Sequence, residues 1–468
     1  MTIEYDNFPR GFYFAPGTQK ALPGFSKVEL LPNLFVHEWC NTSCAGNDEN
    51  FIVVIGDCVP IFNQTVTSAA QDLYDYLTIG EDEFFDRLTY YSGRYVVFFG
   101  SRDSVKILND AVGMRSVFYS EGFELVASHA RLVEQLLGGR LVLRKRPFAR
   151  GFPGNLVPHK RTRILTPNTL IDTSAKAIRR FWPNKPQRTS TVAVEAEYVL
   201  ESASSVIRNL GASQKIKTTV TAGSDSRVIL ACALASGVEF DAYTYGVNYR
   251  TARDRAMAAE ICATVNVEHS VPNGGYLDPT LAKALSRANY TKHHWDYVQG
   301  LMEWIDDPKT IVLMGLMLEI GRGVTAVNLP DANPPSDGRA MAELHFRTMP
   351  NKRRMSIEAA DKEEYLEFSA QAFDGWLETI GGFTPEYMDP FVQFYWEHRM
   401  PTWLGPTMAE RDFYASPVSP FNSRRILESM LSVTKQEQID GAISNKVVEM
   451  IAPELMKFPI NPPKWPLT

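Results

Sequence analysis

The feature that most constrains the fold of this chain is an alternation of helical and strand-like segments that begins near Thr191. In chain order, starting with a helix, these segments are residues 192–211, 216–223, 228–237, 240–246, 256–266 and, as a last strand, 310–315. Such alternation predicts an α/β domain in which a parallel sheet carries helices on both faces. The residues beyond the last strand read as mainly helical.

The front of the chain has a different pattern. Short strand-like runs separated by turn residues lie at 51–57, 93–100, 105–110, 116–120 and 124–128. One helical stretch, Ala69–Leu88, interrupts them, with a predicted break at Gly80. This order predicts an α+β layered domain.

Between Leu136 and Pro186 the chain is rich in proline and glycine, and we interpret it as the domain junction. It includes a predicted pair of short strands near 164–172 and 177–183. Its scattered basic residues are interpreted as solvated or paired with acids rather than as a polyanion site. We therefore divide the chain into residues 1–186, a front domain with its linker, and residues 187–468.

Composition excludes several classes of protein. The 468 residues carry a net charge of −6 from 48 basic and 54 acidic side chains, so no global field attracts nucleic acid or an anionic membrane. The five cysteines match neither a disulfide framework nor a zinc site, which favours a reducing compartment. The first residues lack the pattern of a secretory leader, and apolar stretches such as Thr310–Leu318 are too short to span a membrane. We expect a cytoplasmic protein.

The most informative segment is residues 217–234, where a β-branched strand ends in small residues and a helix begins. Small residues let the backbone approach a ligand closely, and amide groups at a helix start favour a bound phosphate. Asp225 would repel that phosphate, so a divalent cation between them is a natural inference. Thr221 and Ser226 could donate hydroxyl hydrogen bonds. Alternatively, Asp225 caps an ordinary helix.

This turn resembles the Ser-Gly-Gly-X-Asp-Ser pyrophosphate loop of the asparagine-synthetase family. Thr221 stands for the first Ser, Gly223 for the second Gly, and Asp225 and Ser226 match, whereas Ala222 departs from the first Gly. The resemblance implies a doubly wound, parallel-sheet nucleotide-binding domain with a helical C-terminal part. It also implies ATP and Mg²⁺ as cofactors.

The segments that follow are similar to those of the family, in the same order. Backbone groups near Tyr245 and Gly246 would meet the adenine, and a later short strand carries His269, which we interpret as structural. Gly315 and Glu319 align with the first Gly and an acidic metal ligand of a Gly-X-Gly-X-Asp-Glu turn.

Two departures occur in that turn, because Leu316 and Met317 replace an acidic or polar residue and a Gly. The resemblance implies that Asp225 and Glu319 hold the metal. The competing interpretation is a buried strand running into a helix on which Glu319 pairs with Arg322.

The C-terminal segment is similar to the family's closing segment. Lys464 aligns with the Lys that neutralises charge developing in the reaction, a role suited to a compact point charge. Lys457 is the competing candidate, and Lys446 is a candidate contact of the triphosphate.

The front domain resembles, more loosely, the N-terminal nucleophile (Ntn) hydrolase-like glutaminase half of the same family, mainly over residues 93–120. Glutaminases of that class use an N-terminal Cys. Here Met1 is followed by Thr2, and the first cysteine is Cys40, so we expect no glutaminase activity. Family members without that nucleophile, such as β-lactam synthetase and the lasso-peptide cyclases, take an amine directly.

Two further groups were considered as sites. Adjacent His293 and His294 lack the i, i+4 spacing of a helical metal pair. Glu397 or His398 could act as a base for the amine, although we favour a buried ion pair of Glu397 with Arg399.

The resemblance thus implies an ATP-dependent carbon–nitrogen ligase that adenylates a carboxylate and joins it to an amine. The expected partner is a small molecule or peptide carrying these groups, with neither membrane nor nucleic acid, and a homodimer stays open. The alternatives are an asparagine synthetase using free ammonia, a sulfur transferase that would need a reactive Cys232, and a non-catalytic binding protein.

Overall fold

Three sheets organise the part of the chain that the structure describes. The computed structural model describes residues 8–17, 21–63, 68–144, 152–246, 251–350, 354–355, 357 and 361–461. The strands are β1 (Phe12–Phe14), β2 (Phe25–Lys27), β3 (Leu34–His37), β4 (Thr42–Gly46), β5 (Phe51–Pro60), β6 (Tyr91–Ser101), β7 (Ser104–Asn109), β8 (Phe118–Ser120), β9 (Val126–Ala127), β10 (Thr162–Ile164), β11 (Thr169–Asp172), β12 (Ala177–Arg180), β13 (Ile216–Thr219), β14 (Phe240–Tyr243), β15 (His269–Ser270), β16 (Ile311–Leu313) and β17 (Ser416–Val418).

Helices connect and cover these sheets. They are α1 (Ala69–Leu77), α2 (Glu81–Leu88), α3 (Ala130–Leu137), α4 (Val192–Gly211), α5 (Ser224–Ser236), α6 (Ala252–Thr264), α7 (Pro279–Ala288), α8 (Trp295–Trp304), α9 (Leu318–Gly321), α10 (Val324–Asn328), α11 (Gly338–Arg347), α12 (Lys362–Ile380), α13 (Pro390–Gln393), a π-helical segment (Phe394–Leu404), α14 (Gly405–Arg411), α15 (Arg424–Leu431), α16 (Lys435–Ile439), α17 (Ala442–Ile451) and a 3₁₀ turn (Pro453–Lys457). None of the helices in the described ranges has the length and apolarity needed to cross a membrane.

The front of the chain forms two antiparallel sheets that face each other. Their strand orders are β10-β8-β9-β1-β3-β2 and β12-β11-β7-β6-β5-β4. In β5, Phe51, Val53 and Ile55 point into the core between the sheets, while Ile52 and Val54 point to the opposite face. That opposite face is covered by α1 and α2, and α3 covers the outer face of the other sheet. The predicted α+β layering is thus observed.

The segment interpreted as a junction completes these sheets. Strand β10 pairs with β8, and β11 pairs with β7, so residues 162–180 belong to the front domain rather than to a connecting linker. Two of its arginines are paired with acids, as predicted: Arg161 with Glu134 and Arg163 with Glu121.

The second half contains a five-stranded parallel sheet of order β15-β14-β13-β16-β17. This confirms the prediction of an α/β domain with a parallel sheet. In order of appearance the strands run 3-2-1-4-5, so the winding direction reverses between β13 and β16. Ligands of open α/β sheets bind at such a reversal, beyond the carboxyl ends of the strands.

The two halves share a buried interface. Arg94 on β6 makes two hydrogen bonds to Asp412, at 2.5 and 2.8 Å, and both side chains are almost fully buried. Ser416 at the start of β17 donates to Asp57 at 2.6 Å, and Asn422 donates to the Gly93 carbonyl at 2.6 Å. Polar contacts of this kind set the parallel sheet in a defined position against the front domain.

Candidate functional site

Two loops meet where the winding of the parallel sheet reverses. One follows β13 and leads into α5 at Ser224; the other follows β16 and leads into α9 at Leu318. A Cβ atom on Gly315 would lie 2.3 Å from the carbonyl oxygen of Asp225. The loop after β16 can approach the first turn of α5 this closely only because residue 315 has no side chain. The structure therefore brings together the two segments that the sequence predicted to share a site.

The loop after β13 is held by its own hydroxyl groups. Ser226 Oγ donates to the Thr221 carbonyl at 3.0 Å and accepts from the Thr221 amide at 3.1 Å. The Gly223 amide donates to Thr221 Oγ1 at 3.2 Å. Both hydroxyl groups thus shape the loop in this conformation, and their donation to a ligand stays a prediction.

No side chain caps the start of α5. Its N-cap residue is Gly223, which has no side chain to accept a hydrogen bond, and Asp225 lies inside the first turn. The suggestion that Asp225 caps the helix is therefore wrong. Backbone amide groups at an uncapped helix start favour an anion.

The substitution at Ala222 leaves the loop accessible. The Ala222 side chain is fully buried and packs in the hydrophobic core. Its methyl group therefore points away from the surface on which a phosphate would bind, and the departure from glycine adds no obstacle there.

The turn after β16 keeps a conformation that favours glycine. Met317 has a φ of 77°, in the left-handed region, and its side chain is fully buried. Left-handed backbone is costly for a residue with a long side chain and persists where surrounding structure enforces it. Met317 thus occupies a glycine-like position, and Glu319 follows it in the first turn of α9.

The Asp225 carboxylate lies near enough to Glu319 to affect its pKa. Burial, and after it the nearby Asp225 carboxylate, together raise the pKa of Glu319 to about 7, against the opposing effect of backbone amides and Arg322. Glu319 Oε2 is buried and has no hydrogen-bond partner among the described residues. A buried, unsatisfied carboxylate oxygen beside a second carboxylate is a favourable position for a cation.

Arg322 lies directly against this pair. Its guanidinium contacts both carboxylate oxygens of Asp225, with Nη2 at 3.1 Å from Oδ2, and Nη1 donates to Ser224 Oγ at 2.9 Å. The competing interpretation paired Arg322 with Glu319. The hydrogen bonds instead go to Asp225, although the two acids are close enough for Arg322 to affect both.

The residues present fit a magnesium ion that also contacts phosphates. Mg²⁺ is commonly held by one or two carboxylates, with substrate phosphates and water completing its coordination. Asp225 and Glu319 supply two carboxylates at the reversal of the sheet. Over the described ranges no group of three or more His, Cys, Asp or Glu side chains forms a separate metal site.

The C-terminal segment is fastened across the loop by Arg227. Its guanidinium donates to the Phe458 and Pro459 carbonyls, both at 2.6 Å, and to the Ala222 carbonyl at 3.3 Å. The backbone amide of Asn461 also donates to the Ala222 carbonyl, at 3.1 Å. Sequence reasoning missed Arg227, because its partners Phe458 and Pro459 lie more than 200 residues away.

The three candidate lysines have different outcomes. Lys464 lies outside the described residues. Lys446, on α17, forms a 3.0 Å ion pair with Glu449, and Lys457 lies 5.1 Å from the ring centre of Phe458. The structure therefore shows for Lys446 a surface ion pair, and its contact with a triphosphate stays a prediction.

The predicted adenine side of the site begins after β14. The Tyr245 ring lies 5.1 Å from that of His294 and 5.3 Å from that of Tyr297. The Gly246 carbonyl accepts from Arg255 at 2.8 Å, and the next four residues are outside the described ranges. His269 contacts Thr244 Oγ1 at 2.9 Å, which agrees with its interpretation as structural.

The two adjacent histidines are positioned by a buried acid. Glu410 accepts hydrogen bonds from the amides of His293 and His294, both at 3.0 Å, and from Trp295 Nε1 at 2.8 Å. Burial lowers the pKa of His294 to about 2. These contacts form a wall beside Tyr245 rather than a metal site.

The predicted base candidates are structural. Glu397 is fully buried and binds Arg180 through two hydrogen bonds, at 2.6 and 2.9 Å. Glu397 thus pairs with Arg180, where a pair with Arg399 was expected, and the Arg399 guanidinium lies 4.3 Å from the ring centre of Trp403. His398 is buried and contacts the Phe152 carbonyl at 3.1 Å.

Tyr395 was not predicted as a site residue. It lies on the π-helical segment, and its pKa is raised by burial and then by the Glu319 carboxylate. π-Helical turns are rare and frequently occur at functional sites. Proline at position 401 within this segment is a sequence signal for a departure from regular α-helix.

Cys232 is not a reactive thiol. It is fully buried on α5, and burial raises its pKa to about 12. A sulfur-transfer reaction needs an accessible thiolate. The structure thus contradicts the alternative that required a reactive Cys232.

Met1 and Thr2, discussed above in connection with the glutaminase nucleophile, lie outside the described residues.

Comparison with known proteins gives no family. No protein-family description and no curated protein matches the chain. Solved structures that align with it include an allosteric regulatory enzyme of purine biosynthesis, at 11% identity and a TM-score of 0.21, over 46% of this chain and 50% of that one.

Two further solved structures align in part. Glutamine phosphoribosylpyrophosphate amidotransferase from B. subtilis, complexed with ADP and GMP, aligns at 8% identity and a TM-score of 0.23, over 69% of this chain and 72% of that one. Glutamine-dependent NAD⁺ synthetase from Acinetobacter baumannii, in complex with ADP, aligns at 14% identity and a TM-score of 0.17, over 49% and 41%. The chain spans half the length of the first of the three structures, and similarity at these TM-scores carries no argument about function.

Proposed function

We propose that this protein is an ATP-dependent amide ligase that adenylates a substrate carboxylate and then joins it to an amine. The observation that carries the proposal is the arrangement at the reversal of the parallel sheet. There, the start of α5, which no side chain caps, adjoins the neighbouring carboxylates of Asp225 and Glu319, and Gly315 packs against the Asp225 backbone. This combination suits a polyphosphate and its cation.

In the proposed reaction the backbone amides of residues 223–226 bind the polyphosphate. Asp225 and Glu319 hold Mg²⁺, which supplies charge neutralisation at the phosphates when it is bound. A carboxylate oxygen of the substrate attacks the α-phosphorus of ATP, and the bond to the β-phosphate breaks. An amine then attacks the acyl carbon, loses a proton, and displaces AMP. Correct positioning and electrostatic stabilisation supply most of the rate.

The front domain supports an amine donor other than glutamine. Its two facing antiparallel sheets with outer helices are the layers expected for an N-terminal nucleophile hydrolase-like domain. Cys40 lies within the chain, where it has no α-amino group to act as its base, and burial raises the pKa of its thiol. We therefore propose a degenerate glutaminase-like domain, a cytoplasmic location, and a small-molecule or peptide substrate that carries a carboxylate and an amine.

Lys464 is proposed as the cation that acts on the transition state. Asn461, three residues earlier in the sequence, donates to the Ala222 carbonyl within the loop. Lys464 itself lies outside the described residues, so its proposed role rests on its alignment with the family's lysine.

One observation favours a second candidate, a non-catalytic binding protein. The guanidinium of Arg322 contacts both oxygens of Asp225, where the proposed ligase needs a metal ion. If this ion pair is permanent, the site holds no magnesium and transfers no nucleotide.

The test is the pattern of products formed from ATP and Mg²⁺ in a nucleotide-depleted cell extract, which supplies candidate carboxylates. We expect wild type to release AMP and pyrophosphate and Asp225→Asn to release neither. Asp48→Asn, which alters an exposed carboxylate paired with Arg102 in the front domain, should behave as wild type. Equal release of AMP and pyrophosphate by Asp225→Asn and wild type would contradict the proposal. Release of ADP and phosphate in their place would contradict it as well.

A further inference from the structure

Arg322 occupies a position that links the acidic pair to the helix start. It follows α9, and its side chain packs against Gly441 at the start of α17, where a Cβ would lie 3.3 Å from Arg322 Cδ. Its guanidinium reaches Asp225 and Ser224, the first two residues of α5. The guanidinium therefore contacts the side chains of both residues at the start of α5, the helix start that would bind a polyphosphate.

The charges at this point are only partly balanced. Asp225 and Glu319 present two carboxylates to one guanidinium, and Glu319 Oε2 has no hydrogen-bond partner in the described part of the chain. The Arg322 and Asp225 side chains are 21% and 22% exposed, so their ion pair is neither fully screened by water nor sealed in the core. Such a pair can open when a stronger partner arrives.

We propose that Arg322 takes the place of the divalent cation in the metal-free protein and releases Asp225 when the cation binds, so that its guanidinium then binds the polyphosphate. Arg322 is thus a positioning residue toward the metal and a binding residue toward the phosphates. The inference rests on the proposed function, because it uses the metal and nucleotide site named there. The planar guanidinium fork matches both carboxylate and phosphate oxygens, which makes it suitable for this exchange.

The exchange has two consequences of opposite sign. Without Arg322, a cation no longer competes with a guanidinium for Asp225, so metal alone should bind more tightly. Pyrophosphate, in contrast, should bind less tightly to the metal-loaded protein, because one of its cationic partners is missing. A residue that only supports the fold would weaken both.

The experiment measures Mn²⁺ binding to the full chain by electron paramagnetic resonance, first without nucleotide and then with inorganic pyrophosphate. We expect Arg322→Gln to bind Mn²⁺ about tenfold more tightly than wild type. At saturating Mn²⁺ it should bind pyrophosphate about tenfold more weakly. A tenfold change in affinity corresponds to the loss of one ion pair of moderate strength. Arg322→Lys keeps the positive charge but lacks the planar guanidinium, so both of its affinities should lie between those of wild type and Arg322→Gln. Asp225→Asn should lose most of the Mn²⁺ affinity in every background.

Arg339→Gln is the matched control, because Arg339 also pairs with carboxylates but lies on the exposed face of α11. It should leave both affinities unchanged. The proposal is overturned if Arg322→Gln binds Mn²⁺ no more tightly than wild type, if pyrophosphate affinity does not fall, or if Arg339→Gln gives the same shifts. Should Arg322→Gln fail to fold, Arg322→Lys must still show the two opposite shifts. If Arg322→Gln shows both expected changes in affinity but wild type forms no AMP from ATP, the proposed ligase activity is contradicted and the proposed exchange at Arg322 is supported.

Discussion

A Cβ atom on Gly315 would lie 2.3 Å from the carbonyl oxygen of Asp225, so the loop after β16 packs directly against the backbone of the first turn of α5. We therefore expect Gly315→Ala to force the loops apart. Overpacking of this kind costs about 1–3 kcal/mol of unfolding free energy. Because the shift separates Asp225 from Glu319, ATP binding should fall more than stability alone explains, as measured by calorimetry beside thermal unfolding.

Gly375→Ala is the matched control for that substitution. Gly375 lies within α12, and a Cβ there would meet no atom within 4 Å. Alanine in place of an interior helix glycine stabilises by about 0.5–1 kcal/mol. Equal ATP affinity in Gly315→Ala and Gly375→Ala would contradict the close contact as a requirement of the site.

Arg227 should be needed to hold the C-terminal segment over the loop. Arg227→Gln removes charged hydrogen bonds to the Phe458 and Pro459 carbonyls, which we expect to cost about 2–4 kcal/mol locally. Hydrogen–deuterium exchange of residues 455–461 should then rise at least about tenfold. Arg208→Gln, at a half-buried arginine on α4 that pairs with Glu201, should leave this exchange unchanged. Unaltered exchange in Arg227→Gln would show that other contacts hold the segment.

Cys232 should be dispensable for chemistry. Burial raises the pKa of this thiol to about 12, so at pH 7.5 almost none is thiolate and native protein should resist alkylation at this position. Cys232→Ala should keep wild-type AMP release and lose about 1 kcal/mol of stability for the small cavity left behind. Rapid modification of native Cys232 by iodoacetamide, or loss of product formation in the variant, would revive a thiol-dependent reaction.

Stability should fall on acidification because buried histidines must stay neutral. Burial lowers the pKa of His398 to about 3, whereas the unfolded value is about 6.5. Between these values the unfolded chain binds a proton that the native protein does not, so the free energy of unfolding falls as pH drops through this window. One such group contributes a slope of about 1.4 kcal/mol per pH unit.

His398→Gln removes that titration. The variant should be less stable at pH 7.5, since the contact with the Phe152 carbonyl is altered, yet its stability should change less steeply between pH 6.5 and 4. Denaturant unfolding at several pH values measures both slopes. Identical slopes in the variant and wild type would mean that His398 is accessible to protons in the native protein.

The core of the fold was predictable from local pattern. The β13 strand, the small residues after it and α5 lie within 21 consecutive residues, so their propensities and the turn chemistry are readable together. The break between α1 and α2 was likewise signalled by Gly80, which became the N-cap of α2. Short-range signals of this kind locate the site because parallel strands bring their carboxyl ends to one edge.

The parts that were missed depend on distant partners. Strands β1 to β4 have three to five residues each, and β1 pairs with β9, with Tyr13 opposite Ala127. So short a strand shows little alternation of its own, and its hydrogen bonds come from elsewhere in the chain. The contact of Arg322 with Asp225 spans 97 residues, which is why the nearer Glu319 looked like the natural partner.

The central claim is that the turn from Thr221 to Ser226 binds ATP with a divalent cation. Its most direct test is calorimetric titration of Mg²⁺–ATP into wild type and into Asp225→Asn. This binding needs no knowledge of the carboxylate substrate. The account predicts saturable binding by wild type and binding at least about tenfold weaker by the variant, since one charged metal ligand is lost. Absence of binding by wild type, or equal binding by both proteins, would contradict it.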